Sequence, residues 1–132
     1  MMNNKPEGDM GEQSAAEYIL KHGYKILERN FSCFYGEADI IAEHKGAVVF
    51  IEVKTRNGRG FGSPAEAVTA SKRRSYVMIA LNYQKIKKLY DTDMRFDVIE
   101  VFPGARGEEA EINHIENAFD ASDFYSPRGR RY

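Results

Sequence analysis

The stretch from Glu37 to Thr55 limits the possible folds more than any other part of the chain. Glu37–Glu43 and Ala47–Thr55 read as two strands, and Lys45-Gly46 sits between them as a turn. With a two-residue turn, His44 faces Ala47, Asp39 faces Glu52 and Glu37 faces Lys54. Successive side chains on a strand point to opposite faces. Ala38, Ile40, Ala42, Val49, Ile51 and Val53 then form one wholly apolar face. Glu37, Asp39, Ile41, Phe50, Glu52 and Lys54 form the other, apolar near the turn and charged at the far end. A three-residue loop would slip the register by one and dissolve this grouping.

Two facing carboxylates repel by up to about 1 kcal/mol even on an exposed sheet. A divalent cation between them reverses the sign. Mg²⁺ takes hard oxygen ligands, commonly one or two carboxylates plus substrate phosphates. Bound there, it can lower the pKa of water and stabilise charge on phosphorus. Lys54 would sit beside it, placed to orient the attacking water or neutralise developing charge. The competing reading is that Lys54 bridges Glu37 and Glu52 as surface charges, which contribute little. Ile51 and Val53 imply a central strand, and that weighs against an idle charge cluster.

The remaining elements follow from periodicity. A helix is expected from Met10 to His22, ending at Gly23. Glu12 falls on its apolar stripe with Ala16 and Ile19, and a charge on such a stripe needs a reason. Glu17 shares its stripe with Gln13 and Lys21 and reads as solvated. A strand is expected over Tyr24–Phe34, then a glycine-rich loop over Asn57–Ser63 after the hairpin. A second helix is strongest over Ser71–Tyr90, with Val77, Leu81, Ile86 and Leu89 among its apolar positions. Arg95–Phe102 alternates as a strand, and Glu111–Glu116 would add an edge strand. Helix, three strands, helix, strand is an α/β order, with a mixed sheet flanked by helices. The 132 residues suit one domain, expected over 10–125, between a disordered start at 1–9 and a basic tail at 126–132.

A net charge of −1 means that any nucleic-acid contact must come from a local patch. Lys54, Arg56, Arg59, Lys72, Arg73 and Arg74 gather against the single acid Glu66, which suits a nucleic-acid backbone. A solvated helix start is the plainer alternative. Arg59 lies in the glycine-rich loop, which is either a mobile mouth to the site or an ordinary connection. Tyr35, next to the hairpin, could stack on a base or simply pack. His22, His44 and His114 lack metal-ligand spacing and read as surface or capping residues. The single Cys33, the polar start and the lack of a membrane-length apolar run point to a cytoplasmic protein with no membrane partner.

Several segments in order carry a resemblance. They are Gly11-Glu12, Ala15, Gly23-Tyr24, Arg29-Asn30, Gly36-Glu37-Ala38-Asp39, Phe50-Ile51-Glu52-Val53-Lys54-Thr55-Arg56 and Arg95-Phe96-Asp97-Val98. Over roughly residues 10–100 the chain resembles the YraN-like family of uncharacterised bacterial proteins. Asp39 followed by Glu52-Val53-Lys54 resembles the PD-(D/E)xK motif of the restriction-endonuclease-like superfamily, with Ala38 in place of the motif's proline. Archaeal Holliday-junction resolvases share the layout. The resemblance implies a restriction-endonuclease-like fold in αβββαβ order. It implies Mg²⁺ or Mn²⁺ held by Asp39, Glu52 and the Val53 carbonyl, with Glu12 as the helical carboxylate and Lys54 acting on water. Glu37 would support them. The expected activity is hydrolysis of phosphodiester bonds in DNA, with branched or structured DNA among the candidates and RNA not separated from DNA. So small a domain has little surface to grip a duplex, which suggests a homodimer. The alternatives are a nucleic-acid-binding module without cleavage and a protein-binding adaptor.

Overall fold

Lys45 and Gly46 both take positive φ, 51° and 83°, as a two-residue hairpin turn of matching twist requires. The register that follows is the expected one, from His44 opposite Ala47 to Ile40 opposite Ile51. This hairpin is the middle of the sheet. The computed structural model describes residues 6–56 and 68–120. Its elements are α1 (Pro6–Lys21), β1 (Lys25–Cys33), β2 (Gly36–His44), β3 (Ala47–Thr55), α2 (Ala70–Lys87), β4 (Asp93–Phe102) and β5 (Glu111–Phe119). The sheet order is β1-β2-β3-β4-β5. β3 and β4 are parallel, joined through α2, and the other neighbours are antiparallel.

The architecture is α/β, with a five-stranded mixed sheet and two helices. Three expectations change. The αβββαβ order gains a closing strand, because β5 continues past Glu116 to Phe119. α1 begins at Pro6, inside the segment expected to be disordered. Proline is tolerated in a first helical turn, where its missing N–H would have no intrahelical acceptor. α2 stops at Lys87 instead of Tyr90, because Lys88 turns left-handed at φ 58° and its N–H caps the Gln84 and Lys85 carbonyls. No glycine marks that stop. The glycine-rich loop with Arg59, Glu66 and the basic tail lie outside the described residues.

Both sheet faces are covered. α1 sets Ala15, Ala16 and Ile19 on Ile40, Ala42, Val49, Ile51, Ile99 and Val101. α2 sets Tyr76, Val77, Ile79, Ala80 and Tyr83 on Ala38, Ile41, Val48, Phe50 and Phe96. Of the apolar positions expected on α2, Val77 is buried, Leu81 and Leu89 pack against the same cluster and Ile86 is exposed. Ala38 sits on the α2 side, apart from Ile40 and Ala42. β2 leaves the β3 ladder after Ile40 while staying paired with β1 as far as Gly36. No helix among the described residues is long and apolar enough to cross a membrane.

At the turn end of the hairpin, the Arg95-Phe96-Asp97 run builds a buried polar clamp. Asp97 is 1% exposed. Arg95 donates to both of its oxygens at 2.9 Å, His114 Nε2 lies 2.8 Å away and the Asn117 amide donates at 3.0 Å. Arg95 also donates to the Tyr24 hydroxyl at 2.6 Å and reaches His44 Nδ1 at 3.2 Å. Tyr24 stacks flat on His44 with centroids 3.8 Å apart. His44 and the His114 side chain are therefore buried members of this clamp, and only His22 stays exposed as expected. Burial alone would raise the Asp97 pKa. The hydrogen bonds from His114, Arg95 and the Asn117 amide outweigh it and hold the carboxylate below its ordinary value. The stability that this shift supplies is present above the ordinary Asp range and is lost as pH falls through the lowered value. Asp97→Ala leaves Arg95 without its counter-charge, and breaking such a pair costs about 3–5 kcal/mol. The expected outcome at pH 7 is a fall in melting temperature of about 10 °C or more by calorimetry.

Candidate functional site

At the opposite end of the hairpin, β2 and β3 part and carboxylates gather. Asp39 is half-buried and Glu52 is 5% exposed. Asp39 Oδ2 accepts the Val53 N–H at 2.8 Å, so a side chain bridges the two strands one step beyond their last paired residues. Lys54, on the same face of β3 as Glu52, holds Glu52 Oε2 at 3.2 Å. α2 closes the site from above. The Tyr76 hydroxyl lies 2.7 Å from Glu52 Oε1 and 3.3 Å from the Ile51 carbonyl. It has one proton to give, and the shorter bond to the carboxylate takes it. The Asp39 N–H donates to the same hydroxyl at 3.3 Å. Lys72 Nζ stands 4.0 Å from Glu52 Oε2.

α1 closes the other side. Its Gly11 lies directly against Thr55, where a Cβ would come within 3.3 Å of the Thr55 Cβ and still closer to its hydroxyl. This close approach brings Glu12 near enough to add to the field at Asp39. Glu17 is exposed and takes a hydrogen bond from Gln13. Burial, then the negative charge of Glu52, push the Asp39 pKa up to about 7. Glu12 raises it further, while the Val53 amide and Lys72 pull the other way. The Tyr76 hydroxyl is pushed well above its ordinary pKa, first by burial and then by Asp39 and Glu52, so it remains a donor.

Other residues expected at the site lie apart from this group. Glu37 is exposed, and the ion pair of Lys54 is with Glu52 instead. Arg56 is held by Glu100 at 3.1 Å, whose other oxygen takes the Asn113 amide at 2.9 Å. Arg73 donates to the Val68 carbonyl at 2.8 Å, bracing the start of α2. Arg74 is exposed on the same turn. Tyr76 and Glu100 had not been singled out. Glu100 carries a signal, since it interrupts the apolar face of Phe96 and Val98 just as Glu12 interrupts α1, whereas nothing local marks Tyr76.

The donor set suits a hard divalent cation. Asp39 and Glu52 repel each other and gain from a positive charge between them. Val53, the third expected ligand, lies between Glu52 and Lys54, with its N–H committed to Asp39. Among the described residues, no three His, Cys, Asp or Glu side chains converge as a ready cage. Mg²⁺ does not need one, since it keeps several waters and uses one or two carboxylates. A carboxylate whose folded pKa is raised contributes stability below its unfolded value of 3.8, lost as pH rises through about 7. Asp39→Asn is therefore expected to stabilise the metal-free protein at pH 8, by on the order of a few kcal/mol, and to change little at pH 4. Adding Mg²⁺ at pH 8 should raise the melting temperature of the wild type and leave that of Asp39→Asn unmoved. Thermal melts at the two pH values read both effects.

The comparisons agree with the resemblance at family level. The profile of the Uncharacterised protein family UPF0102 matches residues 11–101. A UPF0102 protein of Caldicellulosiruptor saccharolyticus is 44% identical over 118 residues, covering 89% of this chain and 100% of its own. One from Caldanaerobacter subterraneus subsp. tengcongensis is 46% identical over 119 residues, covering 89% and 98%. One from Clostridioides difficile is 46% identical over 118 residues, covering 89% and 100%. The matched stretch runs from the glycine that lets α1 approach β3 to the last buried valine of β4, and the chain belongs to the Uncharacterised protein family UPF0102.

Proposed function

We propose that this protein is a metal-dependent nuclease of restriction-endonuclease-like type, hydrolysing phosphodiester bonds in DNA. The observation that carries the reading is the carboxylate pair Asp39 and Glu52, held by the Val53 amide and the Tyr76 hydroxyl, with Lys54 ion-paired beside it at 3.2 Å. Asp39 and Glu52 would hold Mg²⁺ or Mn²⁺, with the Val53 carbonyl and Glu12 as further oxygen donors. The ion supplies Lewis acidity and a water of lowered pKa. Lys54, ion-paired to Glu52, would orient the attacking water and offset charge developing on the phosphate oxygens. Tyr76 fixes one oxygen of Glu52 and leaves the other to face the site. Lys72 adds positive charge at the helix start. A surface ion pair alone would not explain why Glu52 is buried and held from two elements at once.

The test is a cleavage screen over single-stranded, duplex, flapped and four-way DNA, and matched RNA, with Mg²⁺ and with Mn²⁺. Lys54→Ala should lower the rate by about 10²–10³-fold, and Glu52→Ala should abolish it with the fold kept. Salt-sensitive binding without any cutting would instead favour a binding module. A protein that binds neither nucleic acid nor metal would favour an adaptor. Tyr76→Phe keeps the ring packing and loses the hydrogen bond to Glu52. It is expected to weaken Mn²⁺ binding by about 10–100-fold, read by electron paramagnetic resonance titration without any substrate.

A further inference from the structure

The second hairpin of the sheet carries two large aromatic residues at its tip. β1 and β2 are joined by Phe34-Tyr35 alone, between the paired Cys33 and Gly36. Lys45-Gly46 takes positive φ at both turn residues, whereas at this second tip the positive φ falls on Gly36, at 136°, and the two turn residues are free to be large. Here both turn residues are aromatic. Phe34 is 95% exposed, and Tyr35 is 38% exposed. The two rings meet edge to face with centroids 5.3 Å apart, so Tyr35 braces Phe34 in its outward pose. Neither ring joins the apolar cluster under α2, although Phe31 and Cys33 just before them do.

The position of the tip says what it faces. Gly36 is three residues ahead of Asp39 on the same strand, about 10 Å along it. Gly36 also lies against α2, its missing Cβ 3.9 Å from Ser75 and 3.7 Å from Ile79. The tip thus stands beside the helix turn that carries Lys72 and Arg74, on the strand that delivers Asp39. An aromatic face next to cations and within a few nucleotide steps of the carboxylates has the composition of a single-strand stacking platform.

We propose that Phe34 and Tyr35 form a nucleobase-stacking tip that selects nucleic acid with unpaired bases beside the scissile phosphate; this rests on the nuclease reading for what the neighbouring site does. A fully paired duplex keeps its base faces covered and offers the tip nothing to stack on. A flap, gap, bulge or junction offers at least one free face. Stacking supplies selectivity by structure and not by sequence, since every base has a π-face.

The chain contains no tryptophan. Phe34→Trp therefore places a sole indole reporter at the tip, and stacking on a base quenches it. The titration uses the full chain in EDTA, so that nothing is cut, with a 20-nucleotide single strand, a flapped duplex and a blunt duplex. The expected result is strong quenching by the first two and little by the blunt duplex. Phe34→Ala should lower affinity for the unpaired substrates by about tenfold and leave blunt-duplex binding within twofold. Lys72→Ala should weaken all three. Equal quenching by blunt duplex, or unchanged affinity in Phe34→Ala, overturns the proposal. So does a concentration-dependent indole shift without nucleic acid, lost when a second copy cannot associate, because the tip would then be a protein contact. Quenching with no cleavage under any metal leaves the tip assigned and removes only the nuclease reading. Circular dichroism of each variant checks the fold, which a side chain so exposed should not disturb.

Discussion

The hydrogen bond from the Val53 amide to the Asp39 carboxylate is where the sheet changes from scaffold to site. Up to Ile40 and Ile51, β2 and β3 pair as an ordinary antiparallel ladder. One step further, a side chain makes the bridge between strands. The cost is a half-buried carboxylate facing a second one. The gain is that the two acids are fixed to neighbouring strands of a sheet covered on both faces. α1 and α2 then meet this point from opposite sides, Gly11 by allowing close approach and Tyr76 by reaching down with its hydroxyl. A site built on strands and helices holds its geometry better than one built on loops.

Two aspartates make the contrast sharp. Asp97 receives the Arg95 guanidinium on both oxygens, His114 and a backbone amide, and its pKa is lowered. Asp39 takes one backbone amide and faces Glu52 and Glu12, and its pKa is raised. The first environment completes a charge and stabilises the fold. The second leaves a charge incomplete, at a cost to the fold. The two lie at opposite ends of one hairpin, so stability supplied at the turn end supports tension at the open end. Charges left uncompensated in this way cluster at functional sites, although structural ion-pair networks shift pKa values as well.

The hairpin was legible because two periods constrained it together: a short turn fixed the register, and alternation fixed the faces. Glu12 was legible as a charge on an apolar stripe, and its charge adds to the field at Asp39. Tyr76 escaped because a tyrosine on a helical stripe looks like any other core aromatic until its hydroxyl partner is known. Ala38 was misplaced: it packs in the cluster under α2, past the point where β2 leaves β3. The end of α2 was misplaced because a lysine, not a glycine, adopts the left-handed cap. The Arg95-Phe96-Asp97 run was noticed as part of a pattern, but its role depends on Tyr24, His44 and His114. Those residues are distant in sequence, and no local rule joins them to Arg95 and Asp97.

The cations are the part of the sequence pattern that the fold redistributes most. Six basic residues between positions 54 and 74 looked like one patch. Arg56 is committed to Glu100, Arg73 to the Val68 carbonyl and Lys54 to Glu52. Lys72 shares Glu52 at the longer distance of 4.0 Å. Each phosphate neutralised adds about 0.9 to the salt dependence of duplex binding, so a patch largely engaged within the protein would yield weak, shallowly salt-dependent affinity. On the nuclease reading, then, grip on the backbone would not by itself choose a substrate. Shape would have to do so, through contacts that a regular duplex does not offer. That places the burden of selection on uncharged surface next to the site, and the surface there is aromatic.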